Sequence, residues 1–454
     1  MSKKLNKNWK IFHYIVRPIM KNYSNDIKII DIFNNGFEYL KYFTFRIDCN
    51  LDDYEQHNLR LYDKKTLKLI IKKSIFVFMV ICYPILLLIF NKNDYLISIE
   101  ILEQMVRTNS VDLLLMEMII ILFLMEIMWL HLFLSIFNYK SSDMNFLVKY
   151  QNYNDDEQQQ QQLSIDLRKY LIRFYILSEY ILIIIYDISM FGLFNMTLMH
   201  TYFCIEYYLN DRLRLIPILL DIPMFAITCN QISYLLGHLF LSINFQLFII
   251  EFFKSQLKQL LQLSKSLLLL FQQQQQRRRR RRRPQNHIVQ ELFWKNFQTK
   301  YIKLFCETKH FNQTFSIVLF YLEIISKLSI LLATIFFSKQ KQMSLYNITA
   351  LVSLMSSFFY TTFLYVRISN IPTFNHQCSK ILTYLIIKRS ELLYYPYRQY
   401  QWKQTIHYNL FIQTIMNNQF GFTCGQLFFI NKYKYIEILM INLPIILLFY
   451  RKIC

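Results

Sequence analysis

Apolar residues along this chain gather into windows of about 20, the length that crosses a hydrocarbon core, with polar and basic connections between them. The windows are 69–90, 113–137, 171–191, 216–249, 315–337, 345–366 and 435–450. The pattern predicts an all-α polytopic membrane protein with seven transmembrane helices. The fourth window exceeds one crossing, so its helix should continue past the bilayer. The stretch 192–209 is moderately apolar but is interrupted by Asn195, His200 and Glu206, and it reads as an extracellular connection. The Lys-rich segment ahead of the first window has no apolar core or small-residue cleavage site, so no signal peptide is expected.

Two further segments are too polar to cross yet carry helical periodicity. In 376–418 the apolar positions are Ile381, Leu382, Leu385, Leu392 and Leu393, then Ile406, Leu410, Ile412 and Ile415. That spacing predicts a helix below the membrane. With an amphipathic stretch at 252–270 it would build a cytoplasmic helical anchor layer. Between them, Gln272 to Gln276 run into Arg277 to Arg283 and Pro284. Such a tract reads as disordered repeat slippage, or as a contact to anionic lipid. Gln158 to Gln162 form a second run of the same kind. The organisation is thus a cytoplasmic segment at 1–68, helices 1–4 at 69–250, a loop at 251–312 and helices 5–6 at 313–368. The anchor follows at 369–434, and helix 7 with a short tail at 435–454.

Basic residues next to spans are retained on the cytoplasmic side. Roughly 39 Lys and Arg fall before the first span or in alternate connections on that side, against roughly 8 on the other. A cytoplasmic N-terminus and an extracellular C-terminus follow. This is the reverse of a G-protein-coupled receptor, which is the first alternative class. Four sequons, at Asn22, Asn195, Asn312 and Asn347, fall on both sides and do not discriminate.

Composition agrees with a membrane location: 54% of the 454 residues are hydrophobic. With only 5 glycines, phosphate-cradling loops are scarcely available, and the Gly/Pro-broken spans of a transporter, the second alternative, are not evident. No catalytic motif stands out, so no enzymatic activity, cofactor or nucleic-acid partner is expected. The 8 cysteines are scattered without a Cys-x-x-Cys pair, and neither a metal site nor a disulfide framework is expected.

Ionisable residues inside spans are functional candidates by default. Glu323 and Lys327 are four apart and can neutralise each other on one helix face. Glu126, Glu179 and Asp187 have no evident partner in sequence. With Tyr180 nearby, they are the candidate polar part of a ligand pocket.

The segment Phe420-Gly421-Phe422-Thr423-Cys424-Gly425-Gln426-Leu427-Phe428-Phe429-Ile430-Asn431 resembles the lead-in to the last helix of arthropod gustatory receptors. The terminal signature of that family is Thr-Tyr, five hydrophobic residues, then Gln-Phe. It aligns here with Asn442-Leu443, Pro444 to Leu448, and Phe449-Tyr450: the spacing is kept and the polar identities are lost. The resemblance covers the topology of the whole chain and the residues of about its last forty-five positions. It implies a ligand-gated cation channel in the plasma membrane, a homo- or hetero-tetramer opened by a small-molecule cue. The last helix of each subunit would line the path of permeating cations, with Asn442, Ile446, Phe449 and Tyr450 as pore and gate positions. The resemblance also implies a ligand pocket in the outer half of the other helices.

Overall fold

The structure is a computed structural model describing residues 29–45, 49–59, 64–89, 98–106, 111–151, 165–210, 215–278, 287–339, 345–392, 399–440 and 447. The described part begins with α1 (Ile29–Tyr39), which runs into a π-helical turn (Leu40–Phe45). Next come α2 (Leu51–Glu55), α3 (Lys64–Ile89), α4 (Ser98–Val106), α5 (Val111–Phe137) and α6 (Ser142–Gln151). The long helices follow: α7 (Ile165–Leu209), then α8 (Leu215–Gly237) joined through a π-helical turn (His238–Ser242) to α9 (Ile243–Arg278). Last are α10 (His287–Lys339), α11 (Leu345–Leu392) and α12 (Gln399–Asn417), then a two-stranded antiparallel hairpin, β1 (Thr423–Cys424) and β2 (Phe428–Phe429).

Six of these stretches are long and apolar enough to cross a membrane, which makes the chain an all-α multi-pass membrane protein. They coincide with the first six windows of the sequence. Of the seventh, only 435–440 and Leu447 are described, both helical. Several crossing helices far exceed a bilayer. The 53 residues of α10 span about 80 Å at 1.5 Å per residue, against a hydrocarbon core of about 30 Å. The surplus forms a second layer in which α9, α10, α11 and α12 pack around aromatic rings. Trp294 stacks on Tyr408 at 4.6 Å, and Tyr301 meets Phe411 and donates to Asn375 Oδ1.

The helix formed by α8, its π-helical turn and α9 lies at the centre, with Phe240, Phe245, Phe248 and Phe252 fully buried. It packs against α7, α10 and α11. By contrast α7 shows an apolar stripe to its surroundings: Leu177, Ile181, Ile184, Ile188, Phe191, Leu198, Tyr202 and Ile205 are all exposed. Their spacing of three, four or seven residues marks one face, and an apolar face of that length suits lipid contact.

That stripe corrects the reading of 192–209 as a connection, because α7 continues without a break to Leu209. Its polar side chains do not break the helix, and His200 pairs across to Asp221 of α8. Asn195 Nδ2 donates to the Phe191 carbonyl at 3.0 Å, and Thr197 and Thr201 donate to carbonyls four residues back. The glutamine tract expected to be disordered continues α9 as far as Arg278; glutamine is a good helix former. Arg279 to Pro284 and the second glutamine run lie outside the described residues. The helix expected within 376–418 is two helices, the end of α11 and α12, and the hairpin after them is a β element in a chain read as wholly helical.

Candidate functional site

A cavity of about 200 Å³ lies between α5, α7, α8, α10 and α11. Met118, Met125, Met196, Phe225 and Leu332 supply apolar wall, while Ser189, Thr228, Ser329 and Ser353 supply hydroxyls. Few polar groups on an apolar wall are what a small, mostly apolar ligand requires. Three of those hydroxyls are engaged locally. Thr228 donates to the Met224 carbonyl, Ser353 to that of Thr349, and the Ser189 and Ser353 oxygens lie 2.6 Å apart across α7 and α11. The chain closes the cavity tightly at Gly192, where an added Cβ would fall 2.4 Å from Thr349 Oγ1.

The acidic candidates surround this cavity instead of lining it. Glu126 is buried and accepts from Gln231 Nε2 across α5 and α8. Glu179 is buried and accepts from Tyr39 and Tyr175 hydroxyls at 2.7 and 3.2 Å, tying α1 to α7. Tyr180 points away from the bundle, and Asp187 is half-buried on α7 two residues before the lining Ser189. The Glu323–Lys327 pair forms as the spacing requires, Nζ to Oε1 2.8 Å.

Where the bundle meets the second layer, α9 carries a fully buried carboxylate, Glu251. Lys254 Nζ donates to Oε1 at 2.7 Å, Arg367 of α11 reaches the same oxygen at 3.4 Å, and Tyr170 of α7 donates to Oε2. Arg367 also lies over the rings of Phe174 and Phe363. Three long helices are thereby joined at one charge. Sequence reading missed this node because its four members are spread over 197 positions and only Glu251 and Lys254 are near neighbours.

The lead-in motif before the last helix is a clamp on α10 and α11. Phe422 is fully buried between Phe311 and Phe315. Thr423 is held twice by Asn312: its backbone N–H donates to Oδ1 at 3.1 Å and its hydroxyl accepts from Nδ2 at 3.2 Å. Cys424 is buried and accepts from the Tyr365 hydroxyl, and burial pushes its thiol up to about 11. Gly425 turns the chain at φ +56°, a left-handed conformation that favours glycine, and its N–H donates to the Ser316 carbonyl at 2.7 Å. The Asn312 side chain is thus occupied within the fold, and Asn347 is wholly buried, so neither sequon is presented for glycosylation.

Beyond the clamp a helix covers 432–440. Lys434 pairs with Glu437 at 2.8 Å and lies over the Phe428 ring, whereas Lys432 is exposed. Tyr433, Ile436, Met440 and Leu447 are all more than half exposed. The separations of three and four put Tyr433, Ile436 and Met440 on one helical face. The pore and gate positions Asn442, Ile446, Phe449 and Tyr450 lie outside the described residues.

At the end of the bundle where α7 gives way to α8, three potential ligating side chains converge. His200 Nε2 lies 2.9 Å from Asp221 Oδ2, and Cys204 Sγ is 3.7 Å from that nitrogen and 3.8 Å from that oxygen. All three are buried, which departs from the expectation that no metal-ligating group would assemble. The legible half of the signal was His200 and Cys204 four residues apart, a spacing that becomes meaningful only once 192–209 is helical. The sequence matches no family model and no curated protein.

Proposed function

We propose that the protein is a chemosensory, ligand-gated, non-selective cation channel of the gustatory-receptor type, acting as a tetramer in the plasma membrane. In this reading the N-terminus is cytoplasmic, a seventh span follows the clamp, and the second helical layer is the cytoplasmic anchor. A small, mostly apolar molecule binds in the cavity between α5, α7, α8, α10 and α11. Binding shifts α10 and α11, and the clamp passes that shift to the last helix, at whose axis four copies enclose the pore. The observation that carries the reading is the clamp itself. Every residue from Phe422 to Gly425 is engaged by α10 or α11, the helices that also wall the cavity. The exposed face of Tyr433, Ile436 and Met440 supplies the surface that other subunits would cover.

The test is expression in a cell lacking chemoreceptors, with current recording against a panel of small apolar and amphipathic compounds. Ligand-evoked cation current should appear without added G protein. Epitope tags on intact cells should place the C-terminus outside, and an accessible N-terminal tag would dispose of the reading.

A further inference from the structure

We propose that His200, Cys204 and Asp221 form a divalent transition-metal site, suited to zinc, at the junction of α7 and α8. The two α7 residues are four apart and so share one helix face, and α8 brings the carboxylate against them. Metal–ligand lengths of about 2.0–2.3 Å at tetrahedral angles put ligand atoms about 3.3–3.6 Å apart. The observed separations of 2.9, 3.7 and 3.8 Å need only a small adjustment of the His–Asp edge to enclose such an ion. One nitrogen, one sulfur and one oxygen donor favour zinc over magnesium or calcium, which prefer oxygen alone.

The surroundings hold these donors in place. Tyr83 of α3 donates to Asp221 Oδ1 at 2.7 Å, leaving Oδ2 to face the histidine and the thiol. Phe225 stacks on the His200 ring at a centroid distance of 4.0 Å and 18°. Ile101 and Met105 of α4 pack with Cys204 and Ile218 as an apolar cover. When Nε2 ligates the ion, Nδ1 carries the ring proton. That atom is buried without a hydrogen-bond partner, a cost that the metal–ligand bonds would have to outweigh. The thiol proton passes to solvent as the Cys204 sulfur–metal bond forms, and three protein ligands leave the fourth position for water. Phe225 covers the histidine on one side and lines the cavity on another, so an occupied site would stiffen the cavity wall.

The test needs no channel current. Purified full-length protein in detergent is titrated with cobalt(II), then zinc(II). Wild type should take up one cobalt per chain, with a thiolate-to-cobalt charge-transfer absorption that zinc abolishes. Cys204→Ser should lose that absorption, while Cys229→Ala, a cavity cysteine, should keep it. Asp221→Asn retains an acceptor for Tyr83 and a donor for His200, so it should remain monodisperse. Its metal affinity should fall by at least the about 10–100-fold usual for losing a supporting partner. The absence of the charge-transfer band in wild type, its persistence in Cys204→Ser, or unchanged affinity in Asp221→Asn overturns the proposal. If Cys204→Ser does not purify, the wild-type spectrum and Asp221→Asn decide it. A silent channel that still binds cobalt would leave the metal site standing and count only against the channel reading.

Discussion

At the scale of single residues, the interior places charge and bulk where small changes should have large effects. Asp143 opens α6, is fully buried, accepts from Gln246 Nε2 at 2.8 Å through Oδ2, and has no hydrogen-bond partner on Oδ1. Burial raises its carboxyl from 3.8 to about 6. Because the folded value is raised, this group's contribution to stability is complete below about 4 and is lost as pH rises through about 6. Asp143→Asn keeps the acceptor and removes the buried charge. It should therefore raise the thermal midpoint in detergent at neutral pH, by the equivalent of up to about 3 kcal/mol, and flatten the pH dependence between 4 and 6. A variant no more stable than wild type at pH 7.5 would contradict this account. At Glu251 the opposite holds, since its removal strands two cations. Glu251→Ala should cost about 3–5 kcal/mol and show as loss of monodisperse protein on size exclusion, with Glu251→Gln milder.

The elements divide sharply in what their sequence disclosed. The first six crossings were legible because an apolar window needs no partner to declare itself. The polar interruptions of α7 at Asn195, His200 and Glu206 were misleading: Asn195 bonds back to its own helix and His200 to Asp221 of α8, while a hydropathy reading counts them as breaks. Glu126 and Glu179 were recognised as buried groups, but their partners Gln231 and Tyr39 stand 105 and 140 positions away, so the ties they make between helices could not be read from the sequence. The cavity itself left no mark, being the shared surface of five helices. In the clamp, Gly425 is the residue whose identity the backbone dictates. Gly425→Ala should cost about 1–2 kcal/mol through its left-handed φ, and Asn312→Ala should release Thr423. In the channel proposed above, both should reduce maximal current more than ligand potency. A pure potency shift would mean that the hairpin belongs to binding instead of coupling.

For the molecule as a whole, the proposed function rests on the cavity and on the exposed face of Tyr433, Ile436 and Met440 beyond the clamp. In the channel proposed above, enlarging Thr228 to Leu or Ser353 to Phe should fill the cavity and weaken ligand response about tenfold or more at normal surface expression.

The two π-helical turns carry a mechanical consequence. Leu40–Phe45 and His238–Ser242 pack against each other, and the Phe43 ring fills the notch left by Gly237, where an added Cβ would fall 2.2 Å from it. A π-helical turn accommodates one surplus residue in a helix that otherwise advances about 100° per residue. Were the surplus wound out, α8 and α9 would rotate against each other by about that angle, carrying the cavity wall one way and the Glu251 node the other. Any such slip would first have to push the Phe43 ring out of the notch at Gly237.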